Sequence, residues 1–172
     1  MQGTLPFMAI YICENANACH SPVHDCESVF WLIIWVITFV AHDSTKNPAL
    51  EANLKENFIN GLRPEDWTLA KSAKAKRDLL RLFLHGRESE FPMPFRPFLP
   101  VLKPMAELVG EYNDLSISYQ ADGKTFTMEE ARACISRYIV VVENNPIEHV
   151  DWSFIENKPE KVTLKANNVF DV

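Results

Sequence analysis

Five residues near one end of the chain, Cys13, Cys19, His20, His24 and Cys26, carry the sulfur and imidazole donors that zinc takes as ligands. Their spacing argues against a zinc module. The common modules bring ligands in as Cys-x₂₋₄-Cys pairs; here five residues separate Cys13 from Cys19, six separate Cys19 from Cys26, and no second pair follows downstream. The five therefore read as free thiols and satisfied imidazoles, with no metal. Lys71, Lys74, Arg77 and Arg81 recur at helical spacing, as a solvated helix face or a contact for an acidic partner. Pro94-Phe95-Arg96-Pro97 and Pro97-Phe98-Leu99-Pro100 keep the Pro-x-x-Pro spacing of a polyproline ligand. The interleaved phenylalanines favour a packed loop instead. The five glycines are isolated, so no phosphate-cradling loop is present, and neither a Gly-x-Ser-x-Gly elbow nor a His-Glu-x-x-His helix occurs. No catalytic centre is complete.

Whatever these residues do, helices must position them. A run of thirteen residues, Val29 to Ala41 (VFWLIIWVITFVA), follows the polar cluster His24-Asp25-Cys26-Glu27-Ser28, with Thr38 its one polar member. At 3.6 residues per turn its apolar side chains point in every direction, so the run predicts a central helix over about 26–41, buried on all sides. Thirteen residues are too few for a bilayer, which takes about 20. Residues 29–41 are expected to be the most buried stretch, and any side they leave open the likeliest contact surface. Ser21-Pro22 supplies an N-cap and a first helical residue.

Leu50, Leu54 and Phe58 mark a short amphipathic helix over 49–60, and Trp67 to His85 a longer one with Leu79, Leu80 and Phe83 inward. The prolines between Phe91 and Pro104 exclude a regular helix over most of that stretch. A helix over 104–112 follows, then a turn at Ala121-Asp122-Gly123-Lys124. The capping box Thr127-Met128-Glu129-Glu130 opens a last helix to about Val142. Beyond it lies a polar tail, 143–172, with one strand-like stretch at 161–165. The expected fold is mainly α, with five or six helices and no sheet.

The chain has 172 residues, of which 47% are hydrophobic and 23% charged, enough for one domain with one core. Its net charge of −6 argues against a general nucleic-acid binder, which needs a basic face. The first thirteen residues lack a basic, uninterrupted leader pattern, which leads us to expect an intracellular protein, cytoplasmic or nuclear, with free thiols and no membrane partner.

Two segments together resemble the fungal-type protein kinase family. Gly3-Thr4-Leu5-Pro6-Phe7-Met8-Ala9 resembles the end of a kinase activation segment, and His24-Asp25-Cys26-Glu27-Ser28 resembles the entry to the long central helix of the C-terminal lobe. The order and spacing of the pair carry the resemblance, which is specific over residues 3–41 and diffuse over 42–142. It implies the helical lower part of a kinase C-lobe over 1–142, followed by the tail. It also implies that Thr4 matches the threonine bonding the catalytic aspartate and lysine, and that Leu5, Pro6 and Phe7 match the loop contacting the substrate peptide. Asp25 would match the anchor that accepts backbone hydrogen bonds from the catalytic loop.

The departures are as informative. The chain contains no glycine-rich loop, no phosphate-pairing lysine, no His-Arg-Asp and no Asp-Phe-Gly. Phosphoryl transfer consists of positioning ATP and magnesium against a hydroxyl, and no residue here is placed to hold either. Tyr11 stands where the family carries a glutamate that pairs with an arginine lower in the lobe, and Glu14 is the substitute on offer. The expectation is a truncated or degenerate fragment whose parent phosphorylates Ser/Thr on proteins, itself inactive and without ATP, magnesium or another cofactor. The alternative is a non-catalytic interaction module that uses an exposed flank of the apolar helix to bind a protein partner or a second copy.

Overall fold

The computed structural model describes residues 5–15, 17–44, 48–59, 62 and 68–147. Among them lie six helices, α1 (Ile10–Glu14), α2 (Pro22–Ser44), α3 (Pro48–Leu54), α4 (Leu69–His85), α5 (Leu99–Ala121) and α6 (Met128–Asn144), and no strand. The fold is mainly α, as the periodicity predicts. Leu5–Phe7 forms a 3₁₀ turn ahead of α1, Lys55–Ile59 continues α3 as a π-helical turn, and the proline-dense stretch folds as two 3₁₀ turns, Glu88–Glu90 and Met93–Phe98.

α2 is the element around which the rest is arranged. Its inward face, Phe30, Trp31, Ile34, Ile37 and Ala41, is buried against the other helices. Phe30 meets Phe83 of α4 edge-on, with ring centroids 5.6 Å apart. Thr38 is also buried, and its hydroxyl donates to the Ile34 carbonyl at 2.8 Å, so the lone polar member of the run leaves no hydroxyl proton unpaired.

The expectation of burial on all sides is not met. Val29, Leu32, Val36 and Val40 form a stripe at i, i+3, i+7 and i+11 that is 39–50% exposed. An apolar run presents side chains all round, but α3, α5, α6 and the turns close over only part of its circumference. The helix is also 23 residues long, well beyond the run itself. By length and composition alone, Pro22–His42 could cross a membrane, with 44% of its apolar window buried within the fold. The thirteen-residue count therefore does not exclude a span.

α4 is capped by Thr68, which the sequence places inside the helix expected from Trp67 to His85: its hydroxyl accepts the Lys71 N–H, and Leu79, Leu80 and Phe83 face inward as expected. Lys71, Lys74 and Arg81 point outward, Arg77 is half-buried, and Lys76, which the outward basic stripe skips, is completely buried. Phe91, Phe95 and Phe98 are also buried, so the proline-rich stretch is a packed loop. α5 begins at Leu99, five residues ahead of expectation, because Pro100 sits in its first turn, where no intrahelical N–H bond is needed.

α5 ends in a Schellman motif. The Lys124 N–H donates to the Tyr119 carbonyl and Gly123, at φ 66°, donates to Gln120. The predicted capping box then starts α6: Thr127 Oγ1 accepts the Glu130 N–H at 3.2 Å and Glu130 Oε2 accepts the Thr127 N–H at 2.8 Å.

Candidate functional site

The segment from Leu5 to Glu14 is fastened to α2 and α4 by three side chains. Glu27 is buried at the start of the apolar run, and its Oε1 accepts both the Ile10 N–H and the Trp31 Nε1–H at 2.8 Å. Burial pushes the Glu27 carboxyl up, while these two donors pull it down. Lys76 of α4 donates to the Met8 carbonyl, and its ammonium lies 5.3 Å from the centre of the Trp31 ring. Desolvation lowers the lysine to about 8, against the pull of Cys13 and Glu27. Outside this buried pair, Arg77 Nε donates to Glu14 Oε1 at 2.6 Å, and a second, parallel bond completes a bidentate pair. Glu14 thus holds an arginine where Tyr11 cannot.

Of the residues singled out by resemblance, Thr4 lies outside the described residues. Leu5 opens the 3₁₀ turn, Pro6 is buried, and Phe7 is half-buried with its ring edge-on to Trp35 at 5.8 Å. This turn is therefore seated on α2. Asp25 is at the surface with 66% of its side chain exposed, and its Oδ1 lies 3.2 Å from His20 Nε2. The inward carboxylate that accepts a backbone N–H is Glu27, two residues on. Glu27 and Lys76 are not singled out by the sequence motifs, although both carry a signal. Glu27 lies four residues ahead of Trp31, one turn away, and Lys76 falls on the same i, i+3, i+4, i+7 face as Ala73, Leu79, Leu80 and Phe83.

The cysteine and histidine cluster is dispersed. Cys13 faces the core, Cys19 is exposed, and all four cysteines are free. No group of three or more metal-ligating side chains is present among the described residues. Interaction with the buried Cys134 of α6 pulls the Cys26 thiol down and raises that of Cys134.

His24 forms one wall of an open pocket of about 460 Å³, together with Tyr11, Ser116, Tyr119, Lys124 and Phe126. Its Nδ1 accepts the Ser21 N–H at 3.0 Å, which leaves Nε2 to carry the proton toward Ser116 Oγ at 3.4 Å. Ser116 in turn donates to the Tyr112 carbonyl at 2.8 Å. In this tautomer His24 cannot take a proton from Ser116, so the pair is a hydrogen-bonded chain and not a nucleophile with its base. Desolvation, aided by His20, lowers His24 to about 4.

On the far side of α2 lies a groove of a different kind. Cys26, Val29 and Ile33 form one wall, and Ile135, Tyr138, Ile139 and Val142 of α6 the other, enclosing about 340 Å³. Leu32, Val36 and Val40 continue it along α2. The chemistry it offers is apolar contact.

The family described as fungal protein kinase matches residues 1–37, which takes in the fastened segment and α2 as far as Ile37. No curated protein and no solved structure matches the chain. Similarity to that family therefore extends over 37 of the 172 residues.

Proposed function

We propose that residues 3–44 are the activation-segment end and central helix of a fungal-type protein kinase C-lobe, in a chain that carries no phosphoryl-transfer chemistry of its own and works through protein contact. The observation that carries this reading is the triple fastening of Leu5–Glu14 by Glu27, Lys76 and Arg77, because it seats the stretch that resembles an activation segment on the stretch that resembles the central helix. The family match, over residues 1–37, takes in the fastened segment and Glu27 but not Lys76 or Arg77. The parent activity is transfer of the ATP γ-phosphoryl group to Ser/Thr on proteins. The sequence carries no glycine-rich loop, His-Arg-Asp or Asp-Phe-Gly, and His24, the buried imidazole beside Ser116, is held neutral by desolvation.

Thermal melting with and without millimolar magnesium-ATP tests this. A native-state site filled at 100 times its Kd adds about 2.7 kcal/mol of stability. We expect no rise in Tm, and a shift of several degrees would overturn the reading.

The exposed stripe on α2 and its groove with α6 favour an interaction role, since a continuous apolar face at a helix pair is how globular proteins present a binding surface. Light scattering across a hundredfold range of concentration tests the self-association form of that role. A mass that climbs with concentration supports it, and a constant monomer mass counts against it.

A further inference from the structure

α6 carries a contact row of its own. Arg132, Ile139 and Glu143 are all exposed and, at about 100° per residue, lie within about 40° of one another on the outer face of the helix. Ile135 and Val142 run beside them, 40% and 51% exposed, and line the groove whose other wall is Val29 and Ile33 of α2. The apolar surface is thus continuous from α6 onto α2. On α6 a cation stands at one end of it and an anion at the other, about 16 Å apart along the helix axis.

That order is self-complementary. A two-fold axis pairs residue i of one chain with residue j of the other, and j with i. With the axis crossing midway between Arg132 and Glu143, the two α6 helices run antiparallel and each arginine meets the other chain's glutamate. A parallel pairing sets arginine on arginine and glutamate on glutamate, which like-charge repulsion disfavours. The net charge of −6 makes two copies repel at a distance, so a contact between them needs a surface where opposite charges meet. The area is also of the right order. The half-exposed apolar side chains of the α2 stripe and of Ile135, Ile139 and Val142 present on the order of 500 Å², and Arg132 and Glu143 extend this toward the roughly 800 Å² per partner of a standard interface. A contact at the lower end of that range gives a dimer that dissociates on dilution.

We propose that a second copy of this chain occupies the α2/α6 face, across a two-fold axis that sets the two α6 helices antiparallel with Arg132 of each chain against Glu143 of the other. This rests on the contact role argued above and narrows it to one partner in one orientation.

Sedimentation velocity of the full chain at low salt, over a hundredfold range of concentration, tests this. The mass is expected to climb from one chain to two and stop there, because a two-fold contact closes on itself. Arg132→Glu and Glu143→Arg each set like charges at both ends of the contact, and each is expected to weaken the dimer about tenfold at unchanged helix content. The chain carrying both changes regains both ion pairs and is expected to return to within about twofold of the original dissociation constant. A mass that stays at one chain would overturn the proposal and leave the face to a different protein or a lipid surface. A mass that climbs past two chains would overturn it as well. So would a dimer indifferent to the single changes, or a double variant no tighter than the singles. These last results would leave the contact role standing and remove only this orientation, so the two failures are separable.

Discussion

Glu27 shows how much rests on one oxygen. Its Oε1 accepts two buried donors from two different elements, one the backbone of the N-terminal segment and the other an indole on its own helix. Glu27→Ala would strand both, and each orphaned buried donor costs about 1–3 kcal/mol. Glu27→Gln keeps a carbonyl oxygen in place and removes a buried charge. Urea unfolding is expected to show a loss of about 2–5 kcal/mol for alanine and about 1 kcal/mol for glutamine. Equal losses would mean that the charge, and not the acceptor, holds the segment.

His24 supplies a second prediction at this scale. Its folded-state value of about 4 lies below the ordinary 6.5, so the unfolded chain binds the proton more readily. The stability that the neutral ring supplies is complete above about pH 6.5 and drains away as pH falls toward 4, by up to about 3 kcal/mol. Replacing His24 by glutamine, which can still pair with Ser21 and Ser116, should flatten that part of the stability–pH curve. An unchanged slope would assign the acid sensitivity to other groups.

At the scale of elements, the boundaries written in local side-chain chemistry are the ones that could be read in advance. The capping box at Thr127 and Glu130 and the Gly123 turn both involve residues within five positions of one another. Thr127→Ala removes the acceptor for the Glu130 N–H and should cost about 1 kcal/mol in chemical denaturation, the usual value of an N-cap. Glu130 is also held by the Tyr119 hydroxyl from α5, so its carboxylate should stay in place after that change. A loss well above 2 kcal/mol would indicate that the cap also sets the α5–α6 angle. The proline-rich stretch was legible for the same reason. Proline density forbids a long helix whatever the surroundings, and the phenylalanines at 91, 95 and 98 required a buried seat.

At the scale of the whole molecule, what counts is which face of each helix finds a neighbour. The two sides of α2 have near-identical chemistry but opposite fates, as in the buried Ile34 and the exposed Val36. Ile34→Ala should cost about 2–5 kcal/mol, the range for emptying a packed core position. Val36→Ala should cost under about 1 kcal/mol, because no close-packed cavity is created there. Comparable losses would mean that the open face is closed in solution by something as well packed as the core.

The sequence alone determined that this protein is helical, where most of its helices start and stop, and which face of α4 turns inward, because each depends on contacts one or two turns apart. It also carried the kinase-like segments, since these are strings of neighbouring residues. Only the tertiary structure decided which side of α2 stays open. A helix that is apolar all round has no preferred direction, so its burial is set by partners distant in the chain. The same holds for the choice between Asp25 and Glu27. Two residues apart on a helix, they point about 200° away from each other, and it is the packing of α4 and the Leu5–Glu14 segment that turned one into the core and left the other in water.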